Sequence, residues 1–157
     1  MAEDWHLPPR LTDRLRTLLK GNRQEGRLRH DDPGKPSTLT RGHEAESRAA
    51  DHLVQQGLTL VARNIRAGRG EIDLLMEDGP TLVFVEVRAR RARALVSPLD
   101  SISQNKRSKI IETATRLLQS RGDWQNRPCR FDVVAVHIDP ERRTDRIDWI
   151  RDAFHGE

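Results

Sequence analysis

The chain has 157 residues, enough for one domain and an appendage, and with 35% hydrophobic against 33% charged residues it can bury a core of modest size. Lysine and arginine number 28 against 24 aspartate and glutamate, a formal charge of +4 that suits a polyanionic partner. The single cysteine, Cys129, excludes an internal disulfide and a zinc–cysteine cluster; with no long apolar run and no basic-then-apolar N-terminus, the expectation is a cytoplasmic protein that neither spans a membrane nor is secreted.

In chain order, Pro8-Pro9 is followed by Leu11, Leu15, Leu18 and Leu19 at helical spacing, capped by Thr12 or Asp13. Gly21 to Ser37 is rich in Gly, Pro, Arg and Asp and reads as a linker, so residues 1–39 form an N-terminal extension and residues 40–152 the compact domain. A helix capped by Thr40 or Ser37 runs to about Gln56, with Gly57 ending it and Ala45, Ala49, Ala50, Leu53 and Val54 as its apolar side. Glu46 falls near the middle of that side, where a carboxylate needs a partner, whereas Glu44 points away.

Three strands follow, Leu58–Arg66, Glu71–Met76 and Thr81 to about Arg90, separated by Gly68/Gly70 and by Asp78-Gly79-Pro80. Such short links predict an antiparallel meander, and Leu82-Val83-Phe84-Val85, apolar on both faces, places the third strand centrally. An arginine-rich loop (Arg88, Arg90, Arg91, Arg93) leads to a helix over Ser101–Ser120, terminated by Gly122. A buried strand, Phe131–Ile138, then returns parallel to the third, and Ile147–Ile150 adds a short edge strand. The fold class is therefore α/β: a mixed sheet, an antiparallel meander plus a parallel strand, flanked by helices.

Two segments carry the chemistry: Gly70-Glu71-Ile72-Asp73-Leu74 and Val83-Phe84-Val85-Glu86-Val87-Arg88. Alternation puts Glu71 and Asp73 on one face of their strand and Glu86 and Arg88 on one face of the next, so a tight turn can bring Asp73 beside Glu86. Two carboxylates in contact need a cation, and a hard divalent ion, Mg²⁺ or Mn²⁺, suits oxygen ligands. Such an ion beside a phosphodiester would neutralise charge and acidify a bound water, with Arg88 in reach of the same phosphate. The blander reading is a structural Glu86–Arg88 ion pair. Lys106, Arg107 and Lys109, near the start of a helix, join Arg90 and Arg91 as a basic rim for nucleic acid. Asp132 reads as a core carboxylate bonded to Arg130 or an amide, and His52 and His137 as structural or exposed. No Ser–His–Asp or Cys–His arrangement and no phosphate-binding GxxxxGK[ST] loop occurs.

The two segments resemble the PD-(D/E)xK nuclease superfamily. More closely, the chain is similar to the YraN family of predicted endonucleases related to Holliday-junction resolvases. The resemblance runs through Gly42-x-x-x-Glu46-x-x-Ala49-x-x-x-Leu53, Gly57, Arg63-Asn64, the two segments above, Ser97-Pro98, Lys106 and Arg130-Phe131-Asp132-Val133-Val134-Ala135-Val136. It implies a restriction-endonuclease-like core. It also implies that Asp73 and Glu86 are metal ligands, that Glu46 lies near them, and that the substrate is DNA, branched DNA included, cut by a homodimer. Two departures stand out. Arg88 replaces the superfamily lysine and, being always protonated, cannot act as a base. Leu95-Val96 stands where that family has an aromatic residue and a glycine. The rivals are a binding or adaptor protein on a nuclease scaffold, and a partner protein that docks through its N-terminal helix.

Overall fold

The computed structural model describes residues 38–91, 97, 100, 102–138 and 146–155, without the side chains of 38, 39 and 91. The expected N-terminal helix and linker, Arg93 and Leu95-Val96 lie outside the described residues.

Helix α1 (Thr38–Gln55) is followed by β1 (Thr59–Ala67), β2 (Gly70–Asp78), β3 (Thr81–Arg91), α2 (Gln104–Gln119), β4 (Cys129–Ile138) and β5 (Arg146–Phe154). The strands form one five-stranded sheet in chain order. The β1–β2, β2–β3 and β4–β5 pairs are antiparallel, and β3 and β4, joined through α2, are parallel. The expected mixed α/β architecture is what forms, with β3 at its centre.

The chemistry of the chain explains the ends of its elements. Gly57, at φ +97°, lets Leu58 N–H reach Leu53 O and Gly57 N–H reach Val54 O, closing α1 as a Schellman cap. Ser103 Oγ accepts from Lys106 N and starts α2, three residues later than expected from the apolar pattern. That helix ends at Gln119 with Ser120 as its C-cap, where the apolar pattern placed its end. The expected arginine-rich loop begins later as well: Arg88 to Arg91 are still strand, because β4 continues to pair with β3 as far as Arg91↔Ile138. Strand β5 reaches Phe154, well beyond the expected Ile150, and Phe154 stacks on Phe131 with ring centroids 5.1 Å apart.

Two cores lie on opposite faces. Under α1, Ala45, Ala49, Ala50 and Leu53 pack on Leu74, Met76, Val83, Val85, Val134 and Val136. Under α2, Ile110, Ala114 and Leu117 pack with Ile72, Leu75, Phe84, Val133 and Trp124. Val54, expected on the apolar side of α1, is instead 50% exposed. Ile72 and Leu74 are two residues apart on one strand yet serve opposite cores, so the simple alternation of β2 breaks at Asp73, between them.

Candidate metal and nucleic-acid site

The break in β2 lies where its ladder with β3 stops. The last pair on that side is Leu74↔Val85, which leaves Asp73 and Glu86 as the first residues beyond it. Asp73 Oδ2 accepts the Val87 N–H at 2.7 Å, so a carboxylate takes the place of a backbone carbonyl in the gap. On the other edge β3 is still paired with β4 through Glu86↔Val133 and Val87↔Val134, which keeps the strand rigid at this point.

Glu86 is buried, with 2% of its surface exposed. Lys106 Nζ, from the first turn of α2, lies 2.9 Å from its Oε1, and Arg88 Nε lies 3.6 Å from the same oxygen. Its Oε2 is buried without a hydrogen-bond partner among the described residues. An orphaned carboxylate oxygen in such a place costs desolvation energy that only a cation or a donor can return.

Burial first, and then the neighbouring Glu86 charge, push the Asp73 carboxyl up to about 7. The Val87 N–H and the Lys106 charge pull it down, and Glu46 pushes it up. Glu46, with a side chain 16% exposed, therefore belongs to the same electrostatic group, as its place on the core side of α1 suggested; His43 Nδ1 lies 3.6 Å from its Oε2. Glu44 is exposed and pairs with Arg48. Glu71 pairs with Arg66 at 3.2 Å instead of turning to the acid pair.

The expected basic rim divides. Lys106 and Lys109 face a cleft of about 390 Å³ together with Arg66 and Arg69 of the β1–β2 hairpin. Arg107 turns elsewhere: its Nε donates to Ile102 O at 3.1 Å and its guanidinium lies 5.9 Å from the Phe154 ring centroid. Arg90 donates to Ser97 O at 3.3 Å. Arg91 is part of β3, and its side chain is outside the described residues. Arg66 and Arg69 were not singled out from sequence; the signal available was their position around the Gly68-Arg69 turn, directly before the Asp73 segment.

Asp132, fully buried, accepts from Arg130 Nε, from Trp149 Nε1 at 2.9 Å and from the Asp152 N–H at 2.9 Å. It is a structural carboxylate that pins β5 to β4, with every bond it makes internal. His137 pairs with Asp148 at 2.8 Å, and His52 lies edge-on to Trp149.

No group of three or more His, Cys, Asp or Glu among the described residues is arranged to hold a metal ion. A pair of carboxylates nevertheless fits Mg²⁺, which keeps several waters and is bound through one or two carboxylates plus substrate phosphate. The unpartnered Oε2 of Glu86 and the raised Asp73 carboxyl are what such an ion would relieve.

The model of a family described as uncharacterised protein family UPF0102 matches residues 45–136, which contain Glu46, Asp73, Glu86, Arg88 and Lys106. A UPF0102 protein of Pseudomonas paraeruginosa is 47% identical over 120 residues, covering 76% of this chain and 96% of the relative. One from Nitrosococcus oceani is 46% identical over 124 residues, covering 78% and 98%. Among solved structures, that of Pyrococcus furiosus SfsA in complex with Ca²⁺ aligns over 82% of this chain and 73% of that one, at 16% identity and a TM-score of 0.32, too slight a likeness to bear on function. No helix among the described residues is long and apolar enough to cross a membrane.

Proposed function

We propose, on the premise that this chain belongs to the UPF0102 family, that it is a metal-dependent endonuclease hydrolysing phosphodiester bonds in DNA. The observation that carries this reading is the buried pair itself. Two carboxylates from neighbouring strands meet where the ladder ends, one with its carboxyl raised to about 7 and the other with an unpartnered oxygen. Groups perturbed in this way concentrate at functional sites.

In this reading Asp73 and Glu86 hold Mg²⁺ or Mn²⁺, and Glu46 adds negative charge that favours a cation. The ion when bound supplies charge neutralisation at the phosphate and an acidified water. Asp73, held by Val87 N–H, keeps one oxygen fixed while offering the other. Arg88 and Lys106 sit on the acid pair and are placed to meet a phosphate oxygen. Lys106 thus brings from α2 the lysine that the strand itself lacks. Arg90, Arg91 and Lys109 extend the positive field along the strand; Arg107 contributes to it only at longer range. Assignment to the PD-(D/E)xK superfamily, a branched substrate and a symmetric dimer belong to the same proposal.

One observation favours a second reading, a binding protein on this scaffold: Lys106 already neutralises Glu86 without a metal. The test is a panel of single-stranded, duplex, flap and four-way-junction DNA, incubated with EDTA, Mg²⁺ or Mn²⁺, beside Asp73→Ala and Glu86→Ala. Metal-dependent cutting lost in both variants supports the nuclease. DNA binding by a folded wild type with no cutting under any condition overturns it in favour of the scaffold.

A further inference from the structure

The cleft beside the acid pair has a charge balance that the acids do not explain. Its walls are the tip of the β1–β2 hairpin and the first two turns of α2, and its charged lining residues are Arg66, Arg69, Glu71, Lys106 and Lys109. Glu71 is taken up by Arg66 and Lys106 by Glu86. Arg69 and Lys109 have no anionic partner among the described residues.

Two glycines set this geometry. Gly68, at φ +68°, turns the hairpin so that Arg69 stands at its tip. A Cβ on Gly70 would lie 2.5 Å from Lys109 O and 2.3 Å from Thr113 Oγ1, so only glycine lets the hairpin close onto α2. The Thr113 hydroxyl, 3.1 Å from Ala67 O and 2.8 Å from Lys109 O, holds the two together. The cations are therefore crowded by a rigid contact, and like charges crowded in this way call for an anion.

We infer that this cleft seats the sugar–phosphate backbone of an unpaired DNA strand, directly beside the acid pair. A volume of about 390 Å³ is on the scale of a small-ligand site, which suits a single backbone better than a duplex. A duplex carries its phosphates on the outside of a cylinder and meets such a cleft only at its mouth. Lys106 lines the cleft while contacting Glu86, so a strand lying in the cleft passes the acids. Among the described residues no aromatic side chain lines the cleft, so the grip is on the backbone and is indifferent to base sequence. That this strand is the one cut rests on the nuclease reading; that the cleft binds it does not.

The test is equilibrium binding in EDTA, by fluorescence anisotropy, of an oligothymidine strand and of a hairpin duplex of equal length. Wild type is compared with Arg69→Ala, Lys109→Ala, the double variant, and Arg151→Ala, an exposed arginine that stacks on Trp149. Arg69 and Lys109 are exposed, so the variants fold. The expected result is tighter binding of the single strand than of the duplex by wild type. In the double variant single-strand affinity falls by about tenfold or more, and the slope of log K against log salt falls by about 1.4, or ~0.7 for each lost phosphate contact. Arg151→Ala leaves both unchanged. A double variant that binds the single strand within about twofold of wild type overturns the inference, as does equal affinity for duplex. A protein that passes this test but cuts nothing with Mg²⁺ or Mn²⁺ loses the nuclease reading and keeps the cleft. A double variant that cuts single strands with unchanged KM loses the cleft and keeps the nuclease.

Discussion

Lys106 Nζ lies 2.9 Å from Glu86 Oε1, joining the first turn of α2 to the central strand through a carboxylate that is 2% exposed. Lys106 is itself 39% exposed, so the lysine can swing away at modest cost whereas the glutamate cannot move. This asymmetry suits a counter-ion that holds the site together until something else neutralises Glu86.

Removing the lysine should leave an uncompensated buried charge. Lys106→Ala is expected to destabilise by about 1–3 kcal/mol, below the range for a fully buried pair because Lys106 is partly in solvent. Adding Glu86→Gln to it should recover much of that loss. Urea unfolding of the two single variants and the double variant checks this as a double-mutant cycle. Independent, additive losses would mean that the contact carries no energy.

The Asp73 carboxyl, raised to about 7 first by burial and then by Glu86, would make the proposed metal binding pH-dependent. A metal competes with the proton, so Mn²⁺ affinity should rise with pH up to about 7 and level off above it. The metal-free protein behaves in the opposite sense. Because the folded state holds this proton more tightly than the unfolded chain, the resulting stability is fully present below the ordinary aspartate range and is lost as pH rises through about 7. Titration calorimetry with Mn²⁺ between pH 5.5 and 8.5, roughly the span over which this group changes charge, and thermal melts over the same range read the two effects. A flat profile in both would refute the assignment.

Asp73→Asn keeps an oxygen acceptor for the Val87 N–H and removes the charge. We expect it to stabilise the metal-free protein at pH 8 by about 1–2 kcal/mol, as functional carboxylates often cost stability. It should also abolish the rise in Tm that the proposed site predicts for wild type with Mg²⁺ or Mn²⁺, about 2.7 kcal/mol of stabilisation at a hundred times Kd. A variant less stable than wild type at that pH would show Asp73 to be structural.

Asp132→Ala separates structural from site acids. It strips Arg130 Nε, Trp149 Nε1 and the Asp152 N–H of their acceptor and should cost about 3 kcal/mol or more in urea unfolding. The metal affinity of the folded fraction should not change. A selective loss of metal binding at full stability would move Asp132 into the site.

Two glycines should respond with opposite signs. Gly70→Ala drives a methyl into Lys109 O and should destabilise by about 1–3 kcal/mol. Gly42→Ala, within α1 with nothing in 4 Å of its would-be Cβ, should stabilise by about 0.5–1 kcal/mol. Chemical denaturation of both settles the pair, and equal signs would contradict the contact at Gly70.

What this sequence determined by itself was local and periodic. Turn residues at Gly68, Gly70 and Asp78-Gly79-Pro80 dictated a meander, and the doubly apolar Leu82–Val85 run dictated a central strand. The adjacency of Asp73 and Glu86 followed from the length of the turn between their strands. The same reasoning put Glu46 on the buried side of its helix and Asp132 in the core. Family membership was legible in the same segments, because the motifs are short strings fixed in order along the chain.

Only the tertiary structure decided how distant pieces meet. Lys106 reaches Glu86 across 20 positions of sequence, and the rotation of α2 that allows it is set by Gly70 pressing on Lys109 O and by the Thr113 hydroxyl. That same rotation sends Arg107 to Phe154 and brings Lys109 to Arg69. The insertion of Asp73 into the ladder at Val87, and with it the break in alternation at Ile72, depends on where two strands diverge. Trp124 and the long β5 pack on surfaces that exist only once the sheet has formed. Periodicity reports which face of an element is apolar. Which charged groups converge depends on docking angles and close backbone approaches, and these arise from packing many residues together.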